Sequence, residues 1–309
     1  MTTRFVKAFI PIDITDARFV SSTIAEPDTA EPAWNSGTNY AEFAQVSIIT
    51  TDSHLVYESL QSSNLNHPPT TSPTWWILKS NTNRFRLFEW NRGFGSQGVS
   101  PLEVVIRPAK RINAVMLEGL TAKTAAIKVQ DGIDGPVVLF ASRDLLARHA
   151  TTPYQWCFAP FVYDKTFATF EIPAVIDPVI TMTLTDPSGL CEIGRFAVGM
   201  AIDLGEVEWN SVSESENYSE IEWDAFGKAT LNPIPSQPTL ELPVTADAIS
   251  INRVRQFKEL ANAKAVVWSA MQSIEAYREM HTLIGVYQRF KFTPLNHRIL
   301  QIDLTLKGI

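Results

Sequence analysis

Five aromatic residues, Trp34, Tyr40, Tyr57, Trp75 and Trp76, are the side chains of this sequence best suited to recognition chemistry. An exposed aromatic face stacks on the C–H face of a sugar ring, and Trp or Tyr adds a polar tip. The five punctuate a stretch whose other landmarks are turn formers: Gly37, the run Asn66-His67-Pro68-Pro69, and Pro73. Between them lie short β-prone runs such as Val56-Tyr57. A module this small must also build its core from aromatics. Trp34, Tyr57 and one of the Trp75/Trp76 pair are therefore expected inside, and the other Trp as a platform for carbohydrate.

No second constellation points to turnover. Glu206, Glu208, Glu214, Glu216, Glu220, Glu222 and Asp224 cluster in sequence, but a glycosidase needs two carboxylates facing one another across a cleft. A solvated acidic loop is expected instead. Gly93-Phe94-Gly95-Ser96-Gln97-Gly98 matches G-x-G-x-x-G, yet Pro101 and a β-prone run follow where a dinucleotide site needs a helix. It reads as a hinge. Asp131-Gly132-Ile133-Asp134-Gly135 lacks the regular oxygen ligands and distal Glu of an EF-hand and reads as a tight hairpin. His54, His67, His149, His281 and His297 lack metal-ligand spacing. Cys157 and Cys191 sit among apolar neighbours and read as two buried thiols. Catalytic, cofactor and metal residues are all expected to be none.

Composition agrees with a folded, acidic protein. The 309 residues are 45% hydrophobic, with mean hydropathy -0.02, net charge -7 and pI near 5.3. Arg107-Pro108-Ala109-Lys110-Arg111 is too short a basic run for a nucleic-acid face. No apolar run approaches the length of about 18 residues that a membrane helix needs, and the first residues lack a leader-like apolar core. A soluble protein made in a cytosol is expected, with neither nucleic acid nor membrane insertion among its partners.

The elements that must position these residues are mostly strands. Residues 1–30 read as an N-terminal strand and arm, with Pro11 limiting the strand, and 31–98 as the small β-module, whose last strand is Arg84–Trp90. Residues 99–210 carry many short strands at roughly ten-residue spacing, among them 155–158 and 192–200. That spacing predicts a jelly-roll β-sandwich. Its one helix is expected over Ser142–His149, capped by Ser142. Residues 211–248 contain Pro233, Pro235, Pro238 and Pro243, a density that argues for an extended arm. Residues 249–309 form a C-terminal helix-plus-strand portion. Its helix presents Val254, Phe257, Leu260 and Ala261 as an apolar stripe.

These residues also carry a resemblance. Trp34-Asn35-Ser36-Gly37-Thr38-Asn39-Tyr40, with Gln45-Val46, Val56-Tyr57-Glu58-Ser59-Leu60, Pro73 and Trp75, resembles the chitin-binding-type repeat of chitinases and phage tail proteins. It departs from that repeat at Glu42-Phe43-Ala44, where a glycine-aspartate step is usual. Val115–Leu120 and Glu192–Gly199 resemble galactose-binding-like jelly rolls. Tyr218-Ser219 and Asp224–Lys228, followed by the C-terminal helix and strands, are similar to minor tail or baseplate proteins of tailed bacteriophages. The resemblance implies a structural, non-enzymatic component of a phage tail tip or baseplate, assembled in the host bacterial cytoplasm and resident in the virion. The implied partners are other tail proteins, copies of itself and host-surface glycan. A soluble carbohydrate-binding protein and a glycan-degrading tail enzyme stay open as alternatives.

Overall fold

The computed structural model describes residues 4–90, 95–147, 152–223, 226–234 and 236–309. The chain is mainly β, with several antiparallel sheets and a short C-terminal helix followed by strands. It divides into two compact units. One comprises Met1–Pro11, Trp90–Gly93 and Val198–Ile309, the other Ile12–Glu89 and Phe94–Ala197. The linear partition expected from sequence is thus corrected: the N-terminal strand belongs with the C-terminal third, and the intervening chain is an insertion.

The first unit is a barrel. The strands Phe5–Phe9, Ile202–Val207, Gln237–Asp247, Ile299–Gly308, Thr282–Pro294 and Val266–Ser269 are joined in a cycle. Gln237–Asp247 closes it by pairing with Ile299–Gly308 on one side and with Ile202–Val207 on the other. Alternation sets the inner wall: Leu240, Leu242, Val244 and Ala246 lie opposite Leu306, Leu304, Ile302 and Leu300, and all are buried. Gly205 makes the corner. Its φ is +136°, and a Cβ there would stand 2.5 Å from the Thr245 carbonyl oxygen. Only glycine fits that approach.

The proline-rich segment is therefore not a free arm throughout. Gln237–Asp247 is a central strand in spite of Pro238 and Pro243. The Pro243 carbonyl accepts from the Glu208 N–H (2.9 Å), so its missing N–H lies on the side away from the long Ile299–Gly308 ladder. Pro238 lies one residue beyond that ladder and stands opposite Ser215. Pro235 lies outside the described residues.

The helix Ile251–Leu260 caps the core. Val254, Phe257 and Ala261 are buried, and the Phe257 ring meets Trp268 edge-on at 6.0 Å. Leu260 is corrected: it is 60% exposed. Six residues after Val254 is 600° of helix, which turns Leu260 away from the buried side.

The second unit is sandwich-like. A five-stranded sheet runs in the order Val137–Asp144, Thr124–Asp131, Pro178–Thr185, Leu102–Ile106, Phe19–Ser22. One face is buried in cross-strand rows: Val129–Ile180–Ile106, Ile127–Met182–Val104 and Ala125–Leu184–Leu102. A three-stranded sheet is built from Thr166–Thr169, Ala114–Glu118 and Arg195–Gly199. The Asp131–Gly135 stretch makes the expected hairpin, with Gly132 at φ +90°.

Several local expectations fail here. Ser142 lies in a strand, not at a helix cap, and His149 lies outside the described residues. The helix instead forms over Pro153–Phe158, where Thr152 accepts from the Gln155 N–H and Pro153 opens the first turn. The expected single strand over 192–200 is broken at Gly194 into Leu190–Ile193 and Arg195–Gly199. The expected hinge is a strand: Ser96–Val99 pairs with Leu190–Ile193, while Gly93 and Phe94 lie outside the described residues. Arg84–Trp90 is a turn and the 3-10 helix Arg86–Phe88. Cys157 is exposed and only Cys191 is buried, its thiol pushed up by desolvation.

Candidate functional site

All five sequence-picked aromatics come together, as the core of the small module. Gln45–Thr50, Ser53–Ser59 and Trp76–Asn81 form its three-stranded sheet, and Asn39–Tyr40 pairs with Asn64–Leu65 beside it. Tyr40 and Trp76 are buried, with rings edge-on at 5.3 Å. The indole N–H of Trp76 donates to the His67 carbonyl (2.8 Å), and the Tyr40 hydroxyl accepts from the Asn35 N–H (2.7 Å). Trp34, Tyr57 and Trp75 pack against this pair and are half-buried. None of the five stands free as a platform, and Tyr40, not Trp34 or Tyr57, is the second core ring. Trp75 lies flat on the His67 imidazole at 4.0 Å.

A second feature was not legible from spacing. His54 is buried, stacked on Phe85 at 3.7 Å, with Nδ1 facing Glu26 (2.9 Å) and Nε2 facing Asp16 (2.7 Å). Thr82 and Arg84 also reach the Glu26 carboxylate. Asp16 and Asp52 exchange backbone N–H to carboxylate bonds, each 2.9 Å. The Asp52 N–H and the His54 contact together hold the Asp16 carboxyl below its ordinary value. A cavity of about 190 Å³ lies against this cluster, lined by Asp13, Asp16, Asp52, His54, Phe85 and Phe88 among others. Both ring nitrogens of His54 already face carboxylates, so neither is free to accept a proton from an incoming group. The arrangement ties three distant segments together. Nearby, Glu31 is buried against Arg86 (2.8 Å) with its second oxygen lacking a hydrogen-bond partner, and desolvation pushes its carboxyl up.

The acidic cluster is not a loop. Val212–Glu216 pairs with the outer part of Gln237–Asp247, and the ribbon continues past the barrel as Glu220–Trp223 paired with Ala229–Asn232. Glu214, Glu216, Glu220 and Glu222 are exposed on it, and Asp224 lies outside the described residues. Glu216 binds Lys307 at 2.9 Å. Glu208 instead accepts from the Thr245 hydroxyl on the barrel. Residues directly opposite in an antiparallel pair share a face. Ile221 stands opposite Leu231 and Trp223 opposite Ala229, whereas Glu220 stands opposite Asn232 and Glu222 opposite Thr230. One face of this ribbon is therefore apolar and the other polar. Trp223 is 69% exposed and Leu231 68%. Each of its outer paired strands, four residues long, runs roughly 10 Å at strand rise.

The signal for this face was present in Glu220-Ile221-Glu222-Trp223, a clean period of two, but the surrounding acids masked it. A further exposed aromatic surface comprises Tyr154, Trp156, Phe158 and Phe161, of which the strand expected over 155–158 covers only Trp156 and Phe158. Among the described residues no group of three or more His, Cys, Asp or Glu could hold a metal ion, and no helix is long and apolar enough to cross a membrane. No protein-family model, curated protein or solved structure matches the chain.

Proposed function

We propose that this chain is a structural component of a phage tail tip or baseplate, which works by binding neighbours and not by turnover. The observation that carries the reading is the amphipathic ribbon arm. Two paired strands standing alone are marginally stable in water, and this pair presents Ile221, Trp223 and Leu231 to solvent. A partner surface that covers them removes both costs. Many copies of one such contact sum by avidity, which suits a particle built from repeats. The sequence resemblance supplies the particle: a virion tail whose partners are other tail proteins and copies of this chain. The expected result is that light scattering on the full chain shows multimers growing with concentration. Trp223→Ser with Leu231→Ser leaves a folded monomer by near-ultraviolet circular dichroism. A wild-type chain monomeric at every concentration, or multimers indifferent to both changes, would sink the reading. Antibody labelling of virions tests the location.

Contact with host-surface glycan is the second reading, favoured by one observation. Trp34, Tyr57 and Trp75 are only partly buried on one small module, and an aromatic side chain with surface left in water can stack on a sugar. Wild-type retention on a glycan array, lost in Trp75→Ala, is the expected outcome; equal retention by both proteins removes the reading.

A further inference from the structure

The ribbon arm and the capping helix sit at opposite ends of one strand. The arm leaves the barrel at Gln237, and the helix Ile251–Leu260 follows Asp247 at the other end of the same strand. Those ends are separated by roughly 35 Å at strand rise, and the arm points onward from the first. It cannot fold back onto its own helix.

The two surfaces are nonetheless complementary. The helix buries Val254 and Phe257 and exposes Arg253, Gln256 and Leu260, which recur at helical spacing. Ile249, 89% exposed in the preceding 3-10 turn, continues that stripe. Arg253 is the cation within that stripe, whereas Arg255 is exposed about 160° round the helix from it. Between residues 249 and 264 the cations Arg253, Arg255, Lys258 and Lys264 face a single acid, Glu259, in a chain whose net charge is -7. The arm is the reverse: Glu214, Glu216, Glu220 and Glu222 dominate it, with Lys228 as its cation. Both surfaces carry exposed apolar residues at their centre.

We propose that the apolar face of the arm of one copy seats on the exposed helix face of a second copy. This rests on the assembly reading and deepens it by naming the partner. Ile221, Trp223 and Leu231 cover Ile249 and Leu260. The Trp223 ring accepts a guanidinium over its face. Glu220 and Glu222 stand on the ribbon's other face and act on the cationic helix segment through the field of the arm, with Arg253 nearest the seated face. The apolar contact supplies affinity, while the charges set register and encounter rate. Because the two patches differ, the contact is head-to-tail, and repetition closes a ring or extends a filament.

The test is a charge swap in the full chain, read as multimer mass against concentration and salt. Arg253→Glu with Arg255→Glu weakens association by about tenfold or more, as does Glu220→Lys with Glu222→Lys. The protein carrying all four changes recovers association. Arg253 also donates to the Asp203 carbonyl (3.1 Å), so Ile249→Ser with Leu260→Ser, two exposed positions of the stripe, is the cleaner variant should the double change disturb folding, and it weakens association likewise. If helix reversal leaves the multimers intact while Trp223→Ser with Leu231→Ser dissolves them, the arm seats elsewhere and this proposal fails, though the assembly reading stands. A wild-type chain that never associates defeats both. Failure of the four-change protein to recover also overturns the pairing.

Discussion

Phe257→Ala and Leu260→Ala, two truncations three residues apart on one helix, should differ sharply in cost. Phe257 is 6% exposed and packs edge-on against Trp268 at the heart of the barrel core. Removing its ring forfeits burial worth about 1.5–3 kcal/mol. The edge-to-face contact adds about 0.5–1.5 kcal/mol, and the void left behind adds more, so a total of about 3–5 kcal/mol is expected. Leu260 keeps most of its surface in water, so its truncation forfeits about 0.5 kcal/mol or less. Urea unfolding at low protein concentration, where association does not contribute, reads both values. Near-ultraviolet circular dichroism and Trp fluorescence follow the environment of Trp268. Equal costs at the two positions would show that the helix sits rotated by a third of a turn, and the argument from the 600° spacing would fall with it.

Two pH dependences follow from the second unit. Asp16 has a depressed folded pKa, caused first by the Asp52 N–H and opposed by desolvation. Its contribution is present above the ordinary aspartate value of about 4 and is lost as pH falls through the lowered folded value. Asp16→Asn should flatten the acid limb of a urea-midpoint profile, and an unchanged limb would contradict the Asp16–Asp52–His54 geometry. Glu31 has the opposite sign, raised chiefly by desolvation. Its term is present below about pH 4.3 and lost as pH rises through the raised folded value, so Glu31→Gln should remove a loss of stability just above that point; a profile parallel to wild type would refute it.

The elements written in strong periodicity were legible. Ile299–Gly308 alternates over its whole length, and the capping helix shows its 3.6-residue stripe, because in both one face is buried by direct neighbours. What failed was decided by partners distant in sequence. Pro243 sits in a central strand because its missing N–H happens to fall where Glu208 needs only a carbonyl. Leu260 was counted with the stripe because it is apolar, although its angle excludes it. Gln155–Phe158 reads as a β-prone run, but Thr152 and Pro153 supply a cap and a first turn that override propensity. The five module aromatics were gathered correctly, yet the division between core and surface depends on Asn35 and His67 satisfying Tyr40 and Trp76. Spacing does not report that. The carboxylates around His54 come from positions 16, 26 and 52, separated by loops whose closure no local pattern records.

The barrel is discontinuous in sequence. The polypeptide leaves the barrel after Pro11 and re-enters at Val198, and Pro11 pairs with Gly199 while Phe5–Phe9 pairs with Ile202–Val207. Exit and re-entry therefore lie side by side, as they would in an ordinary hairpin. To the barrel unit, the chain between Pro11 and Val198, apart from Trp90–Gly93, is an elongated turn, and loop-closure cost grows only with the logarithm of loop length. The hydrogen-bonded cycle and the Leu240–Leu306 core rows contain no residue of that insertion. A chain built this way can change its inserted sheets and aromatic module without altering the strand register that positions the arm, because that register is set entirely within the barrel.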